Sequence, residues 1–399
     1  MAYQETTTTG YGKRLGNSAK GIGTGILMLV AGTVLLWWNE GRAVKTYKML
    51  KEAQEVAIHV DDISSVNPDL NGKLIHATAT ATTTDSLADA TFNAGAVALR
   101  LIREVEYYQW TEESHSETRD KFGGGQETVT TYTYNKEWTA RPINSSEFKD
   151  PDYQGRNFVL GTFEDKDIVA GNVSLGAYRM PESLVRMISG TQPLEPSIDE
   201  ARLAGWDKAI SQNLASIGRA DTLRSGSYAH VNGNEIYFGI NPGVPEIGDV
   251  RVRLTKILPS EVSVLAEVYQ GSLQPFNAKN GESFCTLRMG AESMDNMFVQ
   301  EHKTNKTKTW ILRIGGLLLI YLGLKGIFEI LVTLLKVIPF LAGIANLGIS
   351  LVCGITAFVW ALVVASLAWV FYRPVVGIGL LVVAGAVIAY FAFKGKKAV

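Results

Sequence analysis

The sequence predicts an α+β membrane protein in which four transmembrane helices carry a large β-rich extracytosolic domain, inserted between the first helix and the second. Three observations lead to this prediction. Residues 21–38 contain no charged side chain, and the last quarter of the chain contains further charge-free runs. The long segment between these apolar regions is polar and carries the alternating patterns typical of β-strands. Charge is also distributed unequally between the termini and this segment.

The N-terminal apolar run, residues 21–38, approaches the ~20 residues that a membrane-spanning helix needs. It ends in Trp37 and Trp38, a pair typical of the boundary between lipid and water. A cleaved signal peptide would instead show a short apolar core followed by a small-residue cleavage site. We therefore predict an uncleaved anchor; the alternative, a buried core helix, is disfavoured because the run has no polar face.

The C-terminal quarter has no charge between Lys336 and Arg373, and none from Pro374 to residue 393. Pro339 and the glycines near 343–348 predict a break, and Arg373-Pro374 predicts a turn, because proline cannot continue a helix. The predicted segments are a cytosolic tail at 1–20, spans at 21–38, 313–336, 349–372 and 374–393, a domain at 39–312 and a cytosolic tail at 394–399.

The second span, residues 313–336, is less uniform because Lys325, Glu329 and Lys336 fall on one helical face. Three interpretations compete. The segment crosses the membrane with a Lys325–Glu329 pair facing other helices, it is a span that ends early with Lys325 reaching the headgroups, or it is a helix that lies in the membrane interface. We favour the first alternative. A channel or transport path built on this face is the competing functional interpretation.

Charge sets the predicted topology. Residues 1–38 carry a net charge of +2 and residues 313–399 carry +6, which leaves -9 for residues 39–312 in a chain of net charge -1. Basic flanks favour the cytosolic side, so the acidic domain is predicted on the opposite side. A near-neutral chain is also a poor candidate for binding nucleic acid, and we expect no such partner.

The domain is predicted to be β-rich, with a helical insert near 181–217, where apolar residues recur at helical spacing. Residues 111–126 are predicted to form a mobile hairpin loop with its softest point at the three glycines 123–125. Strands are predicted at 73–84, 97–110, 127–138, 235–240, 248–257, 262–270 and 282–289.

Glycines in the first span indicate a helix-packing face. Gly21, Gly25 and Gly32 lie on one side of a helix, and a small-x-x-x-small pattern lets two helices approach closely in lipid. We predict a homo-oligomer formed through this face. The alternative is that the glycines pack the spans of one chain against each other.

Catalytic motifs are not evident. His59 with Asp61 and Asp62, or Asp150 with Asp152, could hold a cation, but solvated loops explain both groups as well. No nucleophile elbow, zincin or phosphate-loop motif is present in the sequence. We predict no catalytic residue, no cofactor and no metal site, and hence a protein that is not an enzyme.

Several segments resemble the transmembrane protein 43 (LUMA) family in the family's order along the chain. They are Trp37, Trp38, Asn39, Glu40, Gly41 and Arg42, and residues 106–110 (EYYQW), 132–138 (YTYNKEW), 248–252 (GDVRV) and 369–374 (WVFYRP). The resemblance implies four spans, one large domain after the first span, and a scaffold role in membrane organisation. In animals it implies the endoplasmic reticulum and the inner nuclear membrane, with emerin and lamins; in bacteria it implies the inner membrane with a periplasmic domain. The threonine-rich opening favours a bacterial member.

The expected function is therefore a non-enzymatic integral membrane scaffold that organises membrane or protein complexes. The expected partners are membrane lipids, further copies of the chain and other membrane or envelope proteins. The double tryptophan through Arg42, with Arg373 and Pro374, is predicted to form a membrane-interface motif. In it, Arg42 hydrogen-bonds a lipid phosphate or the folded domain, or serves as a simple anchor.

Overall fold

The computed structural model describes residues 3–219, 226–375 and 378–379. The helices are α1 (Tyr11–Val56), α2 (Glu182–Val185), α3 (Glu200–Ser216), α4 (Met294–Leu335) and α5 (Pro339–Tyr372). The strands are β1 (Tyr3–Thr9), β2 (Ile58–His59), β3 (Leu74–Thr83), β4 (Ser86–Asp89), β5 (Ala94–Val97), β6 (Arg100–Asp120), β7 (Gln126–Thr139), β8 (Lys166–Val169), β9 (Val173–Leu175), β10 (Tyr178–Arg179), β11 (Thr191–Pro193), β12 (Ala229–Asn232), β13 (Glu235–Phe238), β14 (Val250–Ile257), β15 (Ser260–Tyr269), β16 (Ser272–Gln274), β17 (Phe276–Asn277), β18 (Ser283–Phe284) and β19 (Thr286–Met289).

Three helices, α1, α4 and α5, are long and apolar enough to cross a membrane. The α+β class with a large β-rich domain is confirmed, with three candidate spans among the described residues. The predicted fourth span, 374–393, lies outside them except for residues 374–375 and 378–379. The chain is thus an integral membrane protein whose domain lies between its first two candidate spans.

Two of these helices are much longer than their apolar segments. α1 continues without a break from the apolar run through residues 43–56. α4 begins at Met294, well before the predicted start at 313, and Ser293 caps it by accepting a hydrogen bond from the Asn296 N–H. Each helix therefore extends from the apolar region into the domain as one rigid element.

The break before the third span lies earlier than predicted. α4 ends at Leu335 and α5 begins at Pro339, so residues 336–338 form the whole connection. The fixed φ of proline suits the first turn of a helix, where its missing N–H costs nothing. The glycines at 343–348 therefore lie within α5 and not in a loop. A single long apolar helix tolerates them.

The domain contains two large sheets. One has the strand order β1-β7-β6-β14-β13-β12, with β8 on β6 and β11 on β14. In the other, β15 pairs with both β16 and β3, and the chain of pairings β16-β10-β9-β3 closes on itself. The main core draws buried side chains from both sheets, including Leu101, Val252 and Val264. The strands predicted from alternation are present, whereas the predicted helical insert reduces to α2 and α3, separated by β11.

The hairpin of β6 and β7 is far longer than predicted. Strand pairing continues to Asp120 and Gln126, so the predicted loop at 111–126 shrinks to residues 121–125. Gly123 and Gly124 have φ of 86° and 83°, a region that favours glycine, and they make the turn. β1 adds a third strand by pairing with the distal part of β7. The N-terminal segment supplies the strand partner that local sequence could not reveal.

The hairpin tip contacts the opposite end of the helices from the domain. The buried Arg14 guanidinium lies 2.7 Å from the carboxylate of Asp120, and it donates to the carbonyl oxygens of Gly124 and Gly125 at 3.0 Å. The Gly123 N–H donates to the Val337 carbonyl at 3.2 Å. A bilayer crossed by residues 21–38 would then have the tip on the side of residues 1–20. The predicted placement of residues 39–312 on the opposite side of the membrane from residues 1–20 stays a prediction.

Candidate functional site at the helix junction

The candidate site lies at the junction of α1, α4 and α5, and its first feature is the close packing of α1 against α4. A Cβ atom added to Gly25 would lie 2.7 Å from the Gly323 carbonyl oxygen, and one added to Gly32 would lie 2.8 Å from the Gly316 carbonyl oxygen. Gly21 lies at the edge of this contact, 3.9 Å from the Gly326 oxygen by the same measure. The glycine face of the first span is therefore covered by a helix of the same chain.

A buried ion pair lies just beyond this apolar contact. Glu40 is 2% exposed and accepts from Arg313 of α4 through both oxygens, at 2.6 Å and 2.8 Å. The indole N–H of Trp369 in α5 donates to the same carboxylate at 2.6 Å. Paired and hydrogen-bonded on both oxygens, this carboxylate meets the condition under which a charge can be buried. Glu40 thus joins all three candidate spans at one point.

A second polar group joins α1 to α4. Arg42 donates to Asn305 at 3.1 Å, to Thr309 at 3.0 Å and to Asn39 at 3.2 Å. The amide of the fully buried Asn39 donates to the Thr309 carbonyl at 3.0 Å. Both terminal nitrogens of Arg42 are therefore engaged with protein, which favours the predicted contact with the folded chain over the contact with lipid phosphate.

The C-terminal part of the predicted interface motif packs on the same region. A Cβ atom on Gly41 would lie 2.6 Å from the Tyr372 ring, so a larger residue at position 41 would force this ring to shift. The Trp37 ring lies 6.1 Å from that of Tyr372, and the Arg373 guanidinium lies 5.4 Å from the centre of the Tyr47 ring. Trp38 is half-exposed and Pro374 is exposed. The α1 and α5 parts of the motif thus form one site, although Glu40 and Trp369 are 329 positions apart in the sequence.

The intramembrane charges are arranged differently from the prediction. Glu329 pairs with Lys336 at 2.9 Å, not with Lys325. Lys336 is the C-cap residue that follows α4, so its side chain can fold back along the last turns. A cavity of about 290 Å³ near the hairpin tip is lined by Asp120, Lys325, Glu329 and Lys336 among others.

The histidine that sequence analysis considered as a metal ligand has a different neighbour. The Nδ1 atoms of His59 and His76 are 2.8 Å apart, and His59 Nε2 lies 2.9 Å from a carboxylate oxygen of Asp61. His76 Nε2 donates to the Glu292 carbonyl at 2.9 Å, which leaves its Nδ1 to accept from His59. Burial lowers the pKa of His76, the hydrogen bond to Glu292 opposes this, and the nearby His59 lowers it further.

The other candidate metal ligands form local turns. Asp62 accepts from the Ser64 N–H at 2.8 Å, and Asp150 accepts from the Asp152 N–H at 3.0 Å. The Ser64 hydrogen bond lowers the pKa of Asp62. Within the described residues, no group of three or more His, Cys, Asp or Glu side chains is placed to hold a metal ion.

Comparison with known proteins decides the family. A sequence model of transmembrane protein 43 matches residues 107–374. Transmembrane protein 43 of Mus musculus is 30% identical over 402 residues, covering 97% of this chain and 94% of its own length. The chain belongs to the transmembrane protein 43 family. The Homo sapiens protein is 29% identical over 92% of this chain and 88% of its own, and the Drosophila melanogaster homolog is 27% identical over 92% and 93%. No solved structure matches.

Family membership agrees with the resemblance seen in the sequence, and the expected bacterial origin stays a prediction. The matched region ends at Pro374, so it includes the α4 and α5 sides of the junction. Asn305, Thr309 and Arg313 were not predicted from the sequence. Their spacing of four residues places them on one face of α4, and that periodicity was the available signal.

Proposed function

We propose that this family member is a non-enzymatic membrane scaffold that organises membrane or protein complexes through its extracytosolic domain. The observation that supports it is the continuity of α1 and α4 from their apolar segments into the domain. Domains joined by flexible linkers move independently, whereas a large apolar interface fixes their relative orientation. A domain held at a fixed height and angle suits the presentation of binding surfaces.

The interface that fixes the domain is apolar. Side chains from the domain ends of α1 and α4 pack with strands β3, β15 and β18 in one cluster. The buried members are Met49, Leu50, Ala53, Leu74, Leu265, Ala278, Phe284, Met297 and Phe298. Burial of apolar surface contributes ~25 cal/mol per Å², so such a cluster stabilises the contact between the helices and the domain substantially. The polar contacts of Glu40 and Arg42 lie next along the same helices.

Self-association is part of the proposal, but it requires a surface other than the glycine face. That face is already packed against α4. The outward sides of α5 expose Leu347, Leu351 and Phe358, and such lipid-facing surfaces remain available to a second copy. We also propose an internal membrane location: the endoplasmic reticulum or nuclear envelope in a eukaryote, or the inner membrane in a bacterium.

In-cell photo-crosslinking of the full-length chain tests the scaffold proposal. A photoreactive residue at the exposed Val244 or Val231 of the domain should give discrete protein adducts. Ala53→Glu puts a charge into the apolar cluster and should abolish them, whereas Glu55→Ala, at an exposed position near it, should not. Adducts indistinguishable from those of an unrelated membrane-anchored domain would refute the proposal.

A channel or transport component is the second candidate, and the hairpin favours it. The distal part of the hairpin carries the polar residues Glu113, His115 and Glu117. This polar part runs beside the helices, because the hairpin tip contacts Arg14, which precedes the apolar run of α1. Polar strands at membrane depth are tolerated where they line water or are buried in protein, not where they face lipid. Lys325 and Glu329 line the cavity near the hairpin tip.

Ion or solute flux into proteoliposomes containing the purified full-length protein tests this candidate. Flux that Lys325→Gln changes severalfold, and that Lys13→Gln at an exposed helix position leaves unchanged, would support it. No flux above that of protein-free liposomes would exclude it.

A further inference from the structure

We propose that the cavity between the domain-side ends of α1, α4 and α5 binds the headgroup of an anionic phospholipid. The cavity measures about 590 Å³, a size typical of small-molecule sites. All three candidate spans contribute to its walls, including Ala43 and Val44 of α1, Lys306 and Trp310 of α4, and Arg373 at the end of α5.

The charge of the cavity is positive. Its one acidic lining residue, Glu40, is neutralised by the bidentate contact with Arg313. Lys306 and Arg373 also line it, and neither forms a salt bridge within the part of the chain that the structure describes. The residues that follow Arg373 in the sequence contain no Asp or Glu. Two cations are therefore available for a ligand, with His302 as a third polar group.

The position of the cavity selects a lipid over a soluble anion. It lies immediately beyond Trp37 and Trp38 along α1, and Trp310, which lines it, is 54% exposed. Such aromatic side chains occupy the headgroup level of a bilayer. Beside it on α4, Ile311 and Ile314 expose apolar side chains that can contact acyl chains. A ligand with an anionic head and an apolar tail satisfies both surfaces at once.

The chemistry of recognition follows from the two free cations. The guanidinium of Arg373 is a planar donor suited to phosphate, and Lys306 is a compact charge on a flexible stem. Arg373 already stacks on Tyr47, at 5.4 Å from the ring centre, which limits its orientations. Basic pockets between transmembrane helices bind anionic headgroups, and a Lys or Arg near an anionic membrane surface contributes about 1 kcal/mol. Each cation is thus expected to contribute about a fivefold preference for anionic lipid.

Lipid retention by the full-length protein in detergent tests the proposal. The protein is equilibrated with mixed micelles of phosphatidylglycerol and phosphatidylcholine, and bound lipid is counted by native mass spectrometry. Lys306→Gln and Arg373→Gln should each lower the preference for phosphatidylglycerol about fivefold, and the double variant should abolish it. Lys308→Gln is the matched control, because Lys308 is an exposed cation two residues away on α4 that does not line the cavity. Lys306→Arg should retain the preference.

Three outcomes would overturn the proposal. They are equal retention of both lipids by the wild-type protein, an unchanged preference in the double variant, and a loss of the same size in Lys308→Gln. Binding of inorganic phosphate to lipid-free protein with the same dependence on Lys306 and Arg373 would assign the cavity to a soluble anion instead. Thermal unfolding of each variant separates loss of the site from loss of the fold.

Discussion

The contact of Gly32 with α4 allows a sharp test of how the first span packs. A Cβ atom at this position would lie 2.8 Å from the Gly316 carbonyl oxygen and 3.0 Å from the Ile320 nitrogen, both backbone atoms that cannot rotate away. Gly23 lies on the same helix with nothing within 4 Å of its Cβ position. Gly32→Ala and Gly23→Ala therefore add the same methyl group in opposite surroundings.

The magnitude follows from the distances. The Gly32 methyl is about 0.6 Å short of ordinary contact at 3.4 Å, so α1 and α4 must separate by a similar amount. A gap of this size forfeits about a quarter to a half of the dispersion energy of each affected contact. Overpacking of this kind costs about 1–3 kcal/mol. Because both variants gain the same helix propensity, their difference isolates the packing cost.

The free energy of unfolding of the full-length protein in mild micelles, titrated with a denaturing detergent and followed by tryptophan fluorescence, provides the measurement. Gly32→Ala should be less stable than Gly23→Ala by about 1–3 kcal/mol, with no change of oligomer mass. A difference below about 0.5 kcal/mol would refute the packing argument. A change of mass in Gly32→Ala alone would show that the glycine face serves self-association, as the sequence suggested.

Two further predictions concern buried polar groups. Glu40→Ala removes the counter-ion of Arg313 and should lower stability by about 3 kcal/mol, whereas Glu55→Ala, at an exposed helix pair, should change it by less than about 1 kcal/mol; equal effects in the same unfolding titration would contradict this. Since the pKa of His76 is lowered in the fold, the unfolded chain binds more protons in mild acid. Stability should therefore fall as pH drops below about 6.5, and His76→Gln should flatten this dependence while His115→Gln, at an exposed site, should not. Thermal unfolding between about pH 5 and 8 checks it, and parallel curves for the wild type and His76→Gln would disprove it.

Only part of the candidate site could be predicted from the sequence. The motif from Trp37 to Arg42 marks its α1 side, and residues 369–374 mark its α5 side. What the sequence did not show is that Glu40 meets Arg313, because 273 positions separate them and many other basic residues could have served. The predicted Lys325–Glu329 pair illustrates the same difficulty, since helical spacing allowed it but Lys336 provides the partner.

The sequence by itself determined the class of the protein, because the apolar runs that define membrane spans and the alternation that defines strands are local properties. It also identified the glycine face of the first span. Only the tertiary structure decided what covers that face, how far α4 extends and how the β6–β7 hairpin continues. Residues 111–120 carry polar side chains on both faces and resemble a loop until they pair with β7, whose other edge pairs with β1. Backbone hydrogen bonds between strands depend on the partner strand, which the side-chain pattern of residues 111–120 alone does not encode.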